Sequence, residues 1–247
     1  MSSEAKQASD PRWGIKQRET KAQAILVTMQ HFADISLKDS DWIDLGCGSG
    51  LIAAHIAPHV KSICGIDSEP WERWEGLRQQ QSNLKFLNES VEQLSCPDAS
   101  ADVVICNQVY EHVPNPKKLI TEIERILKPG GYCYFAGPNL LFPIEPHVFW
   151  PFVHWLPRDV AVRLMRVFGS KAILDAYSEN YWTLMRWLKN FKCCNAVPFI
   201  IKNPVKYHKN NIPWCILALM PEKLLHYLTW VSPSFVFVLQ KIKTNVK

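Results

Sequence analysis

The feature that most constrains the fold is a short apolar run followed by closely spaced glycines. Residues 42–45 are apolar except for one aspartate and predict a buried β-strand, and Gly46, Gly48 and Gly50 follow it. Glycine has no β-carbon, so the backbone can turn tightly there and a ligand can approach it closely. Residues 51–57 contain no helix breaker and predict a helix. A strand, a glycine turn and a helix N-terminus predict a site for a polar or anionic ligand, because backbone N–H groups point at it.

The glycine spacing separates two kinds of cofactor site. A dinucleotide site needs a small residue in place of the third glycine of Gly-x-Gly-x-x-Gly, and this chain has Leu51 there. Residues 44–50 instead follow the pattern Asp-x-Gly-x-Gly-x-Gly. At these positions the chain resembles the class I S-adenosylmethionine-dependent methyltransferases. The resemblance implies S-adenosyl-L-methionine as the cofactor, bound at the aspartate and the turn: Asp44, Gly46, Cys47, Gly48 and Gly50.

The segments that follow the turn alternate between predicted strands and helices. Residues 61–67 predict a strand that ends in Asp67, and a carboxylate about 20 residues past the first glycine suits the hydroxyls of a ribose. Residues 102–106 and 132–137 predict further buried strands, and residues 119–127 have the period of an amphipathic helix. This order predicts an α/β, Rossmann-like fold with a doubly wound, mostly parallel sheet and its ligand at the carboxyl ends of the strands.

The resemblance extends along the chain to Asn139. Tyr-Glu-His-Val-Pro at 110–114 and Leu-Lys-Pro-Gly-Gly at 127–131 resemble the branch that contains ubiquinone-type and small-molecule methyltransferases. It implies a seven-stranded sheet with an antiparallel C-terminal hairpin. It also implies further cofactor-binding residues: Asp67, Ser68, Ser90 and Val91 beside the adenosine, and Asn107 and Gln108 under the methionine portion. The branch has aspartate where this chain has Ser90, which predicts a weaker or different contact to the adenine.

The same resemblance divides the chain into four parts. Residues 1–39 are expected to form an N-terminal helical segment with an amphipathic helix at 15–32, which either covers the cofactor or is a surface helix packed on the sheet, and residues 40–141 the cofactor-binding core. Residues 142–192 form an inserted substrate lid, and residues 193–247 complete the sheet. In this last part, strands at 196–201 and 234–239 are expected to pair, joined by an apolar helix at 214–230.

The inserted segment and two histidines are the candidates for acceptor binding and catalysis. Residues 142–157 are too rich in proline for one helix and too apolar for a disordered loop, so they predict a pocket wall containing Glu145, Trp150, His154 and Trp155. Core packing is the alternative for each of these side chains. A hydroxyl acceptor needs a base, and His112 and His147 are the candidates. His112 is equally suited to a structural cap.

Charged residues are distributed unevenly along the chain, and their distribution indicates which classes of partner suit the protein. Residues 1–150 carry 14 Lys and Arg against 19 Asp and Glu, a net charge of −5, whereas residues 151–247 carry 14 against 4, a net charge of +10. The basic part is rich in tryptophan, which suits an anionic lipid surface, nucleic acid or an acidic substrate, or else a solvated basic face over an aromatic core. No nucleic-acid module is recognisable, so nucleic acid is the least favoured partner. We expect an amphiphilic or acidic small-molecule acceptor, with peripheral membrane contact left open.

The remaining composition narrows the function to a few classes. The eight cysteines include no Cys-x-x-Cys pair, which predicts reduced core cysteines in a cytoplasmic protein and no metal site. The most apolar tract, 214–239, is interrupted by prolines and charged residues and predicts no transmembrane span. The favoured hypothesis is O-methylation of a small molecule. The alternatives are C- or N-methylation of a lipid-like or isoprenoid acceptor, and a non-catalytic regulatory protein that binds the cofactor.

Overall fold

A seven-stranded sheet organises the protein. The structure is a computed structural model that describes residues 14–145, 148–170, 174, 176–209 and 211–243. The strand order is β3-β2-β1-β4-β5-β7-β6, in which β7 runs antiparallel to both of its neighbours and the other pairs are parallel. The strands are β1 Asp41–Leu45, β2 Ser62–Asp67, β3 Leu84–Asn88, β4 Ala101–Asn107, β5 Leu127–Pro138, β6 Phe191–Asn195 and β7 Ser234–Lys241. The predicted Rossmann-like sheet with its antiparallel C-terminal hairpin is confirmed.

Helices connect the strands and cover both faces of the sheet. The described α-helices are α1 Ile15–Phe32, α2 Leu51–Ile56, α3 Arg73–Gln80, α4 Pro116–Ile126, α5 Arg158–Val167, α6 Tyr181–Trp187, α7 Val197–Lys202, α8 Ile212–Ala218 and α9 Glu222–Tyr227. Short 3-10 turns lie at Leu37–Asp39, Ala57–His59, Val153–Trp155, Pro204–Tyr207 and Leu228–Val231.

Alternating side chains of the central strands form two buried layers. Trp42 and Val103 belong to the cluster that also contains the buried face of α1, whereas their neighbours Ile43 and Val104 belong to the cluster that contains the buried face of α4. Successive residues of a strand point to opposite faces, so one apolar run serves both layers. The carboxyl ends of the parallel strands therefore remain together at one edge of a rigid sheet.

Contacts between α1 and the C-terminal part bring distant stretches of the chain together. The hydroxyls of Thr28 and Tyr207 are hydrogen-bonded at 2.8 Å, and both side chains are buried. One turn further along α1, His31 stacks on Phe199 with ring centroids 3.8 Å apart. These contacts fix α1 to helix α7 and to the turn at Pro204–Tyr207.

Two predictions for the C-terminal part are wrong. The sixth strand is Phe191–Asn195, and the stretch predicted as that strand forms helix α7 instead. Pro198 has no N–H to donate, which the first turn of a helix tolerates. The predicted helix over 214–230 is likewise divided into α8 and α9, because Pro221 ends one helix and caps the next. Strand β3 and helix α3 carry weaker patterns and were not predicted.

All eight cysteines are free, and Cys106 and Cys133 are completely buried in the sheet. Among the described residues, no helix is both long enough and apolar enough to cross a membrane.

Candidate active site

The glycine turn lies at the carboxyl end of β1, and its three glycines have different roles. All three have positive φ angles, +63° at Gly46, +51° at Gly48 and +77° at Gly50. A β-carbon on Gly46 would lie 2.6 Å from Val109, and one on Gly50 would lie 2.5 Å from the ring of Phe86. A β-carbon on Gly48 would meet nothing closer than 3.8 Å. Gly46 and Gly50 therefore allow close packing, whereas Gly48 presents open backbone to the space above the turn.

That space is a cavity of about 440 Å³ at the carboxyl edge of the sheet. It contains most of the predicted cofactor residues and several that the sequence did not single out. The lining residues are Gly46, Gly48, Asp67, Ser68, Glu69, Trp71, Ser90, Val91, Glu92, Gln108, Val109, His112, Val113 and Pro114. Among the described residues, three carboxylates and no lysine or arginine line this first cavity, so their potential favours a cationic ligand.

Asp67 connects the end of β2 to the glycine turn. Its Oδ2 accepts a hydrogen bond from the backbone N–H of Gly48 at 2.8 Å, and its Oδ1 accepts one from the N–H of Glu69 at 3.1 Å. A carboxylate oxygen has a second lone pair, so both oxygens can still accept from hydroxyl groups in the cavity. Asp67 is thus positioned to hold the turn and to bind a ribose.

Asp44 is a buried carboxylate beneath the turn. It is 3% exposed, and its Oδ2 makes no hydrogen bond with a described residue. The pKa of Asp44 is raised to about 7. Burial is the largest cause, the guanidinium of Arg18 opposes the rise, and the carboxylate of Asp67 adds to it. An unsatisfied buried carboxylate oxygen is stabilised by a cationic hydrogen-bond donor. The ammonium of an amino-acid cofactor has this chemistry, so the residues fit S-adenosylmethionine.

Arg18 on α1 is a site residue that the sequence analysis missed. Burial lowers the pKa of its guanidinium, and the Asp44 carboxylate opposes that shift. The available signal is positional, because Arg18 and Lys21 share a helical stripe with the buried Ile25 and Thr28. Two basic residues on a buried stripe indicate a charged site beneath the helix.

Some predicted cofactor residues do not line the first cavity. The Cys47 side chain is buried below the turn, burial raises the pKa of its thiol, and its N–H donates to the carbonyl of Ile66 at 3.1 Å. Gly50 contacts Phe86 instead of open space. Asn107 ends β4, and its Oδ1 is buried without a hydrogen-bond partner among the described residues. Asn107 therefore retains an unused acceptor next to the site.

His112 is the candidate base whose position the structure shows. It lines the first cavity, and its side chain is 41% exposed. Its Nε2 lies 4.0 Å from a carboxylate oxygen of Glu111, a side chain that is completely buried. A carboxylate at this distance would stabilise a positive charge that forms on the imidazole. The other candidate base, His147, lies outside the described residues.

A second cavity of about 530 Å³ lies beside the first, and Gln108 lines both. The floor of the second cavity comes from β5 and β7, and its walls come from α1 and from residues 197–217. The lining residues are Gln17, Thr20, Lys21, Ala24, Gln108, Tyr134, Ala136, Val197, Ile200, Ile201, Tyr207, His208, Lys209, Trp214, Leu217, Ser232, Pro233, Ser234, Phe235 and Val236.

The predicted acceptor residues of the insertion line neither of these two cavities. The buried Glu145 accepts a hydrogen bond from the N–H of Val148 at 2.7 Å and holds a turn. The Nε2 of His154 lies 3.0 Å and 2.9 Å from the carbonyl oxygens of Leu140 and Phe142.

Two tryptophans complete this local network. The indole N–H of Trp155 donates to the carbonyl of Leu140. Trp150 packs on the small cluster around α5, with its ring 5.9 Å from that of Phe168. An acceptor-binding role for this segment stays a prediction.

The described residues contain no group of three or more His, Cys, Asp or Glu side chains that could hold a metal ion. Independence from metal remains an expectation.

The sequence is similar to known methyltransferases over part of its length. Residues 43–135 match the family model described as a methyltransferase domain. The Ubiquinone biosynthesis O-methyltransferase of Coxiella burnetii is 31% identical over 116 residues, which is 44% of this chain and 47% of the relative. The matched stretch therefore spans about half of the relative's length.

Solved structures share the fold over nearly the whole chain. A chain from the complex of the Haloferax volcanii Trm112 methyltransferase activator with a methyltransferase has a TM-score of 0.60 at 17% identity, covering 96% of both chains. A SAM-dependent methyltransferase from Aquifex aeolicus has a TM-score of 0.55 at 16% identity, covering 98% of both. The glycine turn and the sheet order agree with these matches: residues 43–135 are similar to a methyltransferase domain, and the chain has the fold that these solved structures share.

Proposed function

We propose that this protein transfers a methyl group from S-adenosylmethionine to an oxygen atom of a small-molecule acceptor. The observation that carries the proposal is the meeting of two cavities at Gln108. One is acidic and lies on the glycine turn, and the other is largely apolar and lies under α1. Methyl transfer needs this arrangement, because the donor and the acceptor must approach along one line in a space that excludes water.

The first cavity would hold the cofactor through residues already positioned for it. Asp67 would accept from the ribose hydroxyls, the buried Asp44 would face the ammonium of the methionine portion, and Gly48 would allow close approach to the backbone. Ser90 and Val91 line the opposite part of the cavity, where the adenine is expected. When bound, the cofactor supplies a methyl group on a positively charged sulfur that is a good leaving group.

His112 would act as the base for a hydroxyl acceptor. Its exposed ring faces the first cavity, and the buried carboxylate of Glu111 would stabilise the imidazolium that forms when the proton is taken. A carbon or nitrogen acceptor that carries no such proton would not need this base. Whether the rate depends on His112 therefore also helps to distinguish an oxygen acceptor from a carbon or nitrogen acceptor.

Calorimetry and an untargeted methylation assay together test this function. The purified protein should bind S-adenosylmethionine and S-adenosylhomocysteine, and incubation with cell extract and cofactor should give a product heavier by one methyl group. Fragmentation of that product identifies the methylated atom, so a C- or N-methylated product would replace the proposed O-methylation. Cofactor binding without any methylated product would favour a non-catalytic regulatory role. A protein that binds neither ligand would contradict the proposal.

The expected surroundings of the protein belong to the same proposal. A reduced cytoplasmic location and the absence of a nucleic-acid partner stay predictions. So does peripheral membrane contact, for which the insertion offers several exposed apolar side chains: Phe149, Phe152, Trp155, Val167 and Phe168.

A further inference from the structure

Two lysines enter the second cavity from distant parts of the chain. Lys21 comes from α1, and Lys209 follows the turn at Pro204–Tyr207. Neither ammonium makes an ion pair or a hydrogen bond with another described residue, and the cavity wall contains no aspartate or glutamate. Two positive charges thus line one cavity without a counter-charge from the described residues that surround it.

Burial and mutual repulsion make this pair of charges unfavourable in the empty cavity. Burial lowers the pKa of Lys21, and the charges of Lys209 and Arg18 lower it further. Burial also lowers the pKa of Lys209. Both lysines line the second cavity, so their charges act in the same space. A ligand with a negative charge would relieve both effects, because it supplies the opposite charge that the wall lacks.

The rest of the cavity is suited to an apolar group. Tyr134, Ile200 and Phe235 contribute to its floor and walls, and Trp214 lies at the same end as Lys209. The Nζ of Lys209 lies 4.0 Å from the centre of the Trp214 ring, close enough for a cation–π contact that stabilises the charge beside apolar surface. Apolar burial contributes roughly 25 cal/mol for each Å² removed from water.

We infer that the second cavity is the acceptor site and that it selects an acceptor with an anionic group, a carboxylate or a phosphate, attached to an apolar ring or chain. The lysine pair would bind the anion, and the aromatic and aliphatic wall would bury the remainder near Gln108. This inference rests on the proposed methyl transfer, because only that reaction would make the bound molecule an acceptor. The anion site itself can be tested without turnover.

A pair of fluorescent probes separates charge recognition from apolar burial. The anionic probe is 1-anilinonaphthalene-8-sulfonate, and the neutral probe N-phenyl-1-naphthylamine has the same rings without the sulfonate. The test variant is Lys21→Met with Lys209→Met, which removes both charges and keeps the length of the side chains. The charge-retaining variant carries Lys21→Arg and Lys209→Arg. The matched control is Lys206→Met, since Lys206 is an exposed lysine of the same segment that does not line the cavity.

The double methionine variant should bind the anionic probe about tenfold more weakly and the neutral probe unchanged. The arginine variant and the Lys206 control should match the wild type. Probe bound to exposed apolar patches contributes equally to every variant, so only differences between variants count. Equal affinity of the wild type and the double methionine variant for the anionic probe would overturn the inference. So would an equal loss of both probes, because the lysines would then act through packing.

Two further measurements complete the test. Displacement of the anionic probe by 1-naphthoate or by 1-naphthyl phosphate supports the inference and tells which anionic group is preferred. Displacement by neutral 1-naphthol alone contradicts it. Calorimetry with S-adenosylmethionine on the same samples distinguishes the two levels of failure. Absence of cofactor binding by the wild type would contradict the proposed function. Normal cofactor binding without discrimination between the charged and neutral probes would contradict only the anion site.

Discussion

The two cavities that meet at Gln108 are built in opposite ways. The residues of the first cavity all lie between positions 46 and 114, and its charged groups are carboxylates. The residues of the second come from 17–24, from Gln108, from β5, and from 197–236, and its charged groups are lysines. The proposed cofactor site is thus built largely from one stretch of the chain. The proposed acceptor site is assembled from distant parts of the chain, where the sequence can vary without disturbing the glycine turn.

The largest expected effect is the loss of the proposed base. His112→Ala should lower kcat for a hydroxyl acceptor by about a thousandfold, within the usual contribution of general base catalysis, and should leave the acceptor KM nearly unchanged. Steady-state kinetics with the methylated compound found in extract gives the measurement. His59→Ala is the control, since His59 is exposed at the end of a 3-10 turn and lines neither cavity. A kcat within twofold of the wild type would assign the proton to another group.

The next effect concerns the cofactor alone. Asp67→Ala should weaken S-adenosylmethionine binding by about a hundredfold, or about 3 kcal/mol, because charge-assisted hydrogen bonds to the ribose and the hold on Gly48 are lost together. Isothermal titration calorimetry measures it. Asp34→Ala, an exposed aspartate that lines neither cavity, should behave like the wild type. An unchanged affinity of the Asp67→Ala variant for S-adenosylmethionine would show that the end of β2 is not part of the cofactor site.

A smaller effect follows from the pKa of Asp44 in the protein without ligand. The folded-state pKa of about 7 lies above the ordinary value of 3.8, so the folded state keeps a proton that the unfolded state has lost. Stability is then full at low pH and falls by about 2 kcal/mol between about pH 5 and pH 7. Asp44→Asn should remove this decline while weakening cofactor binding. Urea unfolding of both proteins across this range measures it, and identical pH profiles would contradict the assigned pKa.

The smallest effect decides which tryptophan faces the acceptor. The second cavity favours Trp214, whereas the sequence pattern of the insertion favours Trp150. If the acceptor occupies the second cavity, Trp214→Ala should weaken N-phenyl-1-naphthylamine binding by about tenfold and Trp150→Ala should leave it unchanged. Fluorescence titration of both variants gives the answer. The reverse result would move the acceptor to the insertion.

The contrast between the cavities also explains what the sequence could predict. The turn at 44–50, the acid at Asp67 and the alternation of strands and helices are local patterns, and the sheet and the first cavity follow from them. The sixth strand was misplaced because Phe191–Asn195 is short and the apolar stretch after it satisfies helix α7 equally well. Lys21 and Lys209 are 188 positions apart, and only packing through contacts such as Thr28 with Tyr207 brings them together.

The backbone of Gln108 connects the two halves of the site. Its φ of +59° is unusual for a residue with a side chain, and its N–H is tied to the carbonyl of Ala136 at 2.7 Å. Because Gln108 lines both cavities, ligands in the two cavities would contact the same residue. Where such a contact couples two ligands, thermodynamic linkage requires each to change the other's affinity by the same factor. One glutamine would in this way give the proposed reaction cooperativity between its two substrates.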